Sequence, residues 1–265
     1  MQRTLWLLSV TIAVLIASSV AFAQTKGMMK KRSLPQDYGN IVINSLSEKN
    51  GMAPVVFKHW LHRTRYTCRV CHVDFGFAMI AGKTAMKEAG NEGHYCSSCH
   101  NGKEAFAPVA KNPSGEDTVN CDRCHSYGKY VKFEFDFYKF TAKFPRESFG
   151  DGINWEKAEN EGIIKLQDEV PASTTKKEPL EGPADFTAGS DALGLPASVF
   201  SHKKHIVGIS CELCHNDIFD YEKGITKYSM DDIFDGKYCG RCHGKVAFSN
   251  DDCLRCHRIS AQAVK

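Results

Sequence analysis

The chain has 265 residues, a quarter of them charged, and its formal net charge is only +3. So small a positive balance gives no support for a nucleic-acid-binding protein. The unusual feature is the content of 12 cysteines and 11 histidines, which favours a protein that binds something through sulfur and nitrogen.

The N-terminal stretch, residues 1–23, predicts a secretory signal. A single cation, Arg3, precedes the apolar run LWLLSVTIAVLIASSVAFA, which ends in a small-x-small motif before Gln24. The alternative is an uncleaved membrane anchor, because the run is close to spanning length. The clean motif favours cleavage. We therefore expect an exported chain without a membrane span after cleavage, most readily periplasmic, with outer-membrane-associated or extracellular placement left open.

A polar lead-in, residues 24–54, follows, with a short strand predicted at 41–43. A repeated stretch begins next: VFKHWLHRTRYTCRVCH at 56–72 returns as VFSHKKHIVGISCELCH at 199–215, each residue 143 positions after its counterpart. A stretch with the Cys and His residues of a binding site therefore occurs twice in the chain.

All 12 cysteines fall in six C-x-x-C-H units. This unit is the attachment signature of c-type haem, with two thiols for the thioethers and the adjacent histidine for the iron. Zinc sites and redox disulfides also use C-x-x-C, but neither explains a histidine at the same place six times. Six covalently bound haem c groups are predicted, and export agrees with that. The attachment residues are Cys68, Cys71, Cys96, Cys99, Cys121, Cys124, Cys211, Cys214, Cys239, Cys242, Cys253 and Cys256, and the proximal ligands are His72, His100, His125, His215, His243 and His257.

The two copies keep their spacing and then diverge. The second unit begins 24 residues after the first unit ends in both copies, but the gap before the third unit is 21 residues in the first copy and 10 in the second. The extra residues, APVAKNPSGEDTVN, read as a surface loop. With about 40 residues per haem after leader removal, the segments are too small to bury an adequate side-chain core. The predicted fold is mostly irregular, with short α-helices, few strands and haems as the core.

The central segment, residues 131–197, contains no Cys or His. It opens with YVKFEFDFYKF, whose alternating phenylalanines predict a half-buried strand, and a helix is predicted over 154–161 with Asn154 as its cap. A Pro-, Ser-, Thr- and Gly-rich connector follows. The segment is interpreted as a semi-ordered linker, and docking of its aromatic part on a haem face or the other repeat is the alternative.

Five histidines remain for the second axial positions: His59, His62, His94, His202 and His205. Five cannot fill six positions, so at least one haem takes another ligand or stays open. The F-x-H-x-x-H pairs are the strongest candidates, because histidines three apart on a helical turn project in neighbouring directions. His94 is less certain, since its counterpart is Lys237. Met230 is the candidate for the remaining iron, with Met86, Lys237 or an open site as alternatives.

These residues resemble the cytochrome c7 family of triheme electron carriers, among the class III multihaem cytochromes. The matching features are F-x-H-x-x-H before the first C-x-x-C-H, a G-[HK]-Y-C-x-x-C-H second unit and a nearby third unit. The resemblance implies two tandem c7-like triheme modules at 55–130 and 198–265. It also implies that the first histidine of each pair ligates the first haem and the second ligates the second haem. The implied pairs are His59 with His72, His62 with His100, His202 with His215 and His205 with His243; the third haems would take His94 or Met86 for His125, and Met230 or Lys237 for His257.

The family resemblance implies electron transfer and no enzymatic activity. We expect a hexahaem carrier between redox proteins of the cell envelope, such as inner-membrane quinol oxidases and periplasmic or outer-membrane cytochromes. The setting would be anaerobic or extracellular respiration, with metal ions as conceivable terminal acceptors. The alternatives are a multihaem reductase with one open haem, or a haem subunit of an outer-membrane conduit or filament.

Overall fold

Short elements joined by irregular connections make up the fold, as predicted. The structure is a computed structural model that describes residues 33–44, 46–80, 94–127, 136–178, 181–188, 195–215 and 217–259. The predicted signal, Met86 and the start of the YVKFEFDFYKF stretch lie outside these residues. The α-helices are α1 His59–His62, α2 Phe137–Phe140, α3 Trp155–Asn160, α4 His202–Ile206, α5 Met230–Phe234 and α6 Cys253–Cys256. The strands are β1 Ile41–Ile43, β2 Val55–Phe57, β3 Val109–Lys111, β4 Asp117–Val119, β5 Phe186–Ala188, β6 Ala197–Phe200 and β7 His257–Ile259.

Five 3₁₀ helices and one π-helical turn lie in the lead-in or at the haem-attachment units among the described residues. At the attachment units a single turn is enough, because the C-x-x-C-H spacing needs only one turn to present two thiols and a histidine. They are the 3₁₀ segments Pro35–Asp37, Glu48–Asn50, Tyr95–Ser98, Cys121–Arg123 and Tyr238–Arg241 and the π-turn Val70–Asp74.

Each F-x-H-x-x-H motif is preceded by a strand that pairs with a segment from outside the recognised repeat. In the first copy, β1 runs antiparallel to β2 with Ile41 opposite Phe57. In the second, β5 runs antiparallel to β6 with Phe186 opposite Phe200. The predicted strand at 41–43 is confirmed. The two partner strands are 145 positions apart, from Ile41 to Phe186, whereas the repeated motifs are 143 apart. The partner strands therefore do not align when the two copies are compared at the constant offset.

The predicted loop APVAKNPSGEDTVN is a β-hairpin instead. Strands β3 and β4 pair antiparallel, with Val109 opposite Val119, and the turn places Gly115 at φ +85, a backbone region that favours glycine. The Asn112 side chain accepts the Glu116 N–H at 2.9 Å and closes the turn. The Pro, Gly and Asn residues marked the turn correctly, but the short flanking alternation was missed. Both strands are largely exposed.

The central segment forms two helices where the sequence analysis predicted a strand and a helix. The strand prediction is wrong at Phe137, which starts α2: Asp136 caps it by accepting the Lys139 N–H at 3.0 Å, a local bond that competes with extended backbone. The predicted helix is confirmed as α3, and Asn154 caps it by accepting the Lys157 N–H at 3.0 Å.

These two helices build a side-chain core against the first module. Trp60, the residue between the paired histidines of α1, is 2% exposed and packs edge-on against Phe137 at 5.2 Å. The cluster also contains Ile153, Trp155, Ala158 and Ile164. Polar contacts tie the same segment to the second module, since Arg255 on α6 pairs with Glu147 at 2.5 Å and Glu156 at 3.3 Å. The domain boundaries predicted from sequence stay a prediction. The central segment itself contacts both the module that precedes it and the module that follows it in the chain.

No helix among the described residues is long and apolar enough to cross a membrane.

Candidate haem centres

Three pairs of histidine rings face each other at one recurring separation. The ring centres lie 6.4 Å apart for His59 and His72, 6.3 Å for His62 and His100, and 6.2 Å for His205 and His243. With a metal–nitrogen distance of about 2.0 Å and about 1.1 Å from that nitrogen to the ring centre, two imidazoles that held one iron from opposite sides would place their centres about 6.2 Å apart. The residues present therefore fit an iron held between each pair.

The phenylalanine of each F-x-H-x-x-H motif orients both histidines. Phe57 stacks on His62 at 4.2 Å and meets His59 edge-on at 4.8 Å. Phe200 repeats this geometry, stacking on His205 at 4.4 Å and meeting His202 edge-on at 4.9 Å. A single aromatic ring thus fixes the planes of two candidate ligands, and its repetition identifies a role that the sequence analysis did not assign.

Backbone carbonyls hold the other nitrogen of each paired histidine. His62 Nδ1 donates to Lys58 O at 2.9 Å, and His205 Nδ1 donates to Ser201 O at 2.8 Å. The first histidine of each pair donates to a carbonyl just before the partner strand, β1 or β5. His59 donates to Gly39 O at 2.6 Å and His202 donates to Ala184 O at 3.3 Å. A carbonyl can only accept, so Nδ1 carries the proton and Nε2 is left for a metal.

The proximal histidines of the first and second units all donate Nδ1–H to a phenylalanine carbonyl four to six residues later. This places a short loop after each unit and fixes the tautomer that ligates through Nε2. The four bonds are His72 to Phe77 O at 2.8 Å, His100 to Phe106 O at 3.1 Å, His215 to Phe219 O at 2.9 Å and His243 to Phe248 O at 3.3 Å.

The histidines of the third units donate to a carbonyl far away in the sequence instead of one in the following loop. His125 Nδ1 donates to Ala53 O at 2.8 Å and His257 Nδ1 donates to Pro196 O at 2.7 Å. Ala53 and Pro196 are equivalent positions, 143 residues apart, just before β2 and β6. The chain therefore folds each third unit back onto the start of its own module.

An arginine of each third unit contacts the loop of the second unit. The Arg123 guanidinium lies 3.6 Å from the Phe106 ring centre, and that of Arg255 lies 4.4 Å from the Phe248 ring centre. Such cation–π contacts contribute about 0.5–2 kcal/mol. The C-x-R-C-H sequence common to both third units was a signal that could have revealed this link.

Burial favours the neutral form of five candidate ligands. It lowers the pKa of His59, His62 and His243 to about 4, against the carbonyl hydrogen bonds that act the other way. The pKa values of His72 and His100 are also lowered, again mainly by burial. Neutral imidazole is the form that binds a metal.

For the remaining candidate ligands the structure gives other contacts and no facing pair of histidine rings. The ring of His215 is stacked on Tyr221 at 4.6 Å, and His94 is exposed at the start of the Tyr95–Ser98 turn. Met230 is the first residue of α5. Lys237 binds Asp232 at 2.8 Å, and this hydrogen bond raises the pKa of the ammonium. A protonated amine has no lone pair for iron, which disfavours Lys237.

The cysteines follow the attachment pattern and do not resemble a zinc cage. All twelve lie within the described residues, and none of them forms a disulfide with another. No group of three or more His, Cys, Asp or Glu side chains converges there on a common point, as a zinc site would need.

The attachment sites are neighbours within each module. Burial, and then the nearby Cys99 thiol, raise the pKa of Cys71 to about 12. Burial and the Cys96 thiol raise the pKa of Cys124. In the second module burial and the Cys256 thiol raise the pKa of Cys239 to about 11. The second unit of each module therefore lies near the third. In both modules it also lies near the first, since the Phe77 and Tyr95 ring centres are 5.1 Å apart and those of Phe219 and Tyr238 are 5.9 Å apart.

Comparison with known proteins gives one family. The family model described as "Cytochrome c7 and related cytochrome c" matches residues 55–126 and 198–258, half of the chain. No match was found among curated proteins.

Solved structures of the same kind are similar. A "c7-type three-heme cytochrome domain" is 37% identical over 29% of this chain and 95% of its own, with a TM-score of 0.27. The C-terminal hexaheme fragment of GSU1996 is 25% identical over 83% of this chain and 98% of its own, with a TM-score of 0.26.

Proposed function

The chain belongs to the cytochrome c7 family and carries six covalently bound haem c groups, and from this premise we propose that it is an electron carrier between redox proteins of the cell envelope. The observation that carries the proposal is the recurring pair of histidine rings 6.2–6.4 Å apart. Two imidazoles on one iron leave no position for a substrate.

The protein's part in this function is to hold ligands still. Each ring of the three pairs is fixed by a carbonyl at Nδ1, and Phe57 and Phe200 set the planes of the distal rings. Bound haem supplies the one-electron chemistry. Neutral, preoriented imidazoles stabilise both oxidation states with little movement of the chain, which favours rapid electron exchange. His202 with His215 completes the proposed set of four bis-histidine sites.

The proposed setting is the periplasm, reached through cleavage after Ala23, with anaerobic or extracellular metal respiration as the process served. The export motif and the haem attachment chemistry support this placement. The proposed partners are quinol oxidases of the inner membrane and other cytochromes, with metal ions as terminal acceptors.

Low-temperature EPR with near-infrared magnetic circular dichroism of the oxidised holoprotein tests the proposal. We expect low-spin signals from bis-histidine haems and a methionine charge-transfer band if Met230 ligates the haem of His257. A high-spin ferric signal that shifts on adding nitrite or cyanide would contradict the carrier, because it would reveal an iron open to a substrate. The reductase alternative would then replace it.

A further inference from the structure

The two modules meet at the first attachment unit of module 1, although the third unit is nearest to module 2 in the sequence. Arg63, five residues before Cys68, donates to Val246 O, and the Val246 N–H donates to Cys242 O at 2.8 Å. Cys68 belongs to the first unit and Cys242 to the fifth. The backbone agrees, since Arg69 N–H, between Cys68 and Cys71, donates to Gly208 O of module 2 at 3.0 Å.

One arginine lies at the centre of this contact. The Arg63 guanidinium donates to Val246 O in the loop that follows the fifth unit. It lies 4.8 Å from the centre of the Trp155 ring of the central segment. Arg63 thus touches both modules and the segment between them.

A second contact beside it comes from the lead-in. The Tyr38 hydroxyl donates to Ala247 O at 3.1 Å. Gly39 is so close that a Cβ there would meet Lys245 O at 2.6 Å. The same Gly39 carbonyl holds the His59 ring, so the lead-in connects a candidate ligand of module 1 directly to module 2.

The repeat does not require this arginine. Its counterpart, 143 positions later, is Ile206, and Val246 corresponds to Glu104 in the shared G-K-x-A-F sequence, 142 positions earlier. Module 2 has the same F-x-H-x-x-H pair and three C-x-x-C-H units without an arginine at that position, so iron binding does not explain Arg63. A buried guanidinium that bonds a carbonyl of the other module and stacks on an aromatic ring suits a fixed interface.

We propose that Arg63 is a positioning residue that closes the inter-module junction, and that electrons cross between the modules there, between the sites of Cys68 and Cys242. This inference rests on the proposed carrier function. One electron crosses per event, so the donor site is oxidised and the acceptor site reduced by that same electron, with no bond broken and no proton required. The chain of sites then runs from the third unit of module 1 through its second and first units into the second unit of module 2.

Two-dimensional exchange NMR on the partly reduced, full-length holoprotein tests the junction. Wild type should show exchange cross-peaks within each module and between the haems of His72 and His243. Arg63→Ile, which installs the residue of module 2, removes a charge-assisted hydrogen bond. We expect it to raise the open population on the order of tenfold. Inter-module cross-peaks should weaken accordingly while those within modules persist.

Matched variants and a structural readout separate the outcomes. Arg65→Ile removes the same charge from an exposed position two residues away and should match wild type, whereas Arg63→Lys should lie in between. Hydrogen exchange at 38–40 and 245–247 should quicken in Arg63→Ile only. Wild-type cross-peaks in an Arg63→Ile protein with six haems would overturn the junction.

If the Arg63→Ile protein does not bind six haems, the Tyr38→Phe variant tests the junction in its place. It removes one hydroxyl and should weaken the inter-module cross-peaks by a smaller factor, and unchanged cross-peaks would overturn the proposal. Failure of the carrier function looks different: wild type would then show no reversible reduction at all. Exchange within modules but none between them in wild type would refute the junction alone.

Discussion

The two F-x-H-x-x-H helices have the same ligand geometry and opposite surroundings. Phe57 and Phe200 stack on the second histidine at 4.2 and 4.4 Å, and the facing ring pairs are 6.3 and 6.2 Å apart. Between the histidines, however, α1 carries Trp60 and Leu61, while α4 carries Lys203 and Lys204, both exposed.

The difference comes from the central segment. The face of α1 opposite the haems is covered by α2 and α3, which bury Trp60, whereas α4 meets α3 through the exposed ion pair of Lys204 with Glu156, 2.5 Å apart. The haem fixes which residues of a module must be histidine or phenylalanine. The neighbouring chain fixes the residues in between, so we expect the two modules to differ in stability.

Trp60→Ala should produce the largest effect. Truncating a fully buried tryptophan costs about 3–5 kcal/mol, because the cavity against Phe137 and Phe140 cannot be filled by a haem. Denaturant unfolding of the holoprotein, followed by tryptophan fluorescence, measures the loss. Lys203→Ala at the equivalent position should change the free energy of unfolding by less than about 0.5 kcal/mol.

Equal losses in Trp60→Ala and Lys203→Ala would break the comparison, because they would mean that the haems alone hold each module together. The most informative result is a loss of stability confined to module 1. The fourth to sixth haems would then keep their native spectra until the final unfolding transition.

Phe57→Leu and Phe200→Leu should have equal, intermediate effects. Each removes an aromatic stack of about 0.5–1.5 kcal/mol that orients a distal ligand. Water reaching the loosened ring stabilises the more charged oxidised state, so the potentials of the second haems should fall by tens of millivolts, on the scale of about 59 mV per tenfold for one electron. Spectroelectrochemical titration of both variants measures the shift. A large shift in only one of them would show that the matched ring geometry does not carry matched energetics.

The sequence predicted the parts of the site that covalent chemistry dictates. Six C-x-x-C-H units and the two histidine pairs follow from what a haem needs, and the structure places those pairs on single helical turns. The short α3 helix was predictable because Asn154 caps it through a bond within three residues. These features depend on local chemistry, which the sequence states directly.

The rest depends on contacts between distant residues. Gly39 and Ala184 hold equivalent histidines, but their spacing differs from the repeat by two residues, so the partner strands were not recognised as part of the modules. Phe137 was predicted in a strand because alternation was read without the capping bond of Asp136. The carbonyl acceptors carry no side-chain signal at all, since any residue can supply one.

Glu156→Gln should have the smallest effect and tests the polar side of the same contact. Glu156 on α3 binds Lys204 at 2.5 Å and Arg255 at 3.3 Å, and the hydrogen bond from Lys204 is the main cause that lowers its pKa from the ordinary 4.5. A carboxyl with a lowered pKa contributes its stability above pH 4.5, and this contribution is lost as the pH falls through the pKa of the folded state. Since the Glu156 and Lys204 side chains are 45% and 60% exposed, solvent screening limits the effect to about 1 kcal/mol or less.

The variant should therefore lose a small part of its stability at pH 7 and low salt, and should match wild type near pH 2 or at high salt, where the pair is screened. Glu161→Gln is the control, because its partner Lys157 lies on the same helix and links nothing to module 2. Denaturant midpoints at both pH values measure the difference. A loss in Glu161→Gln as large as that in Glu156→Gln would mean that helix charge, and not the contact with α4 and α6, accounts for the effect.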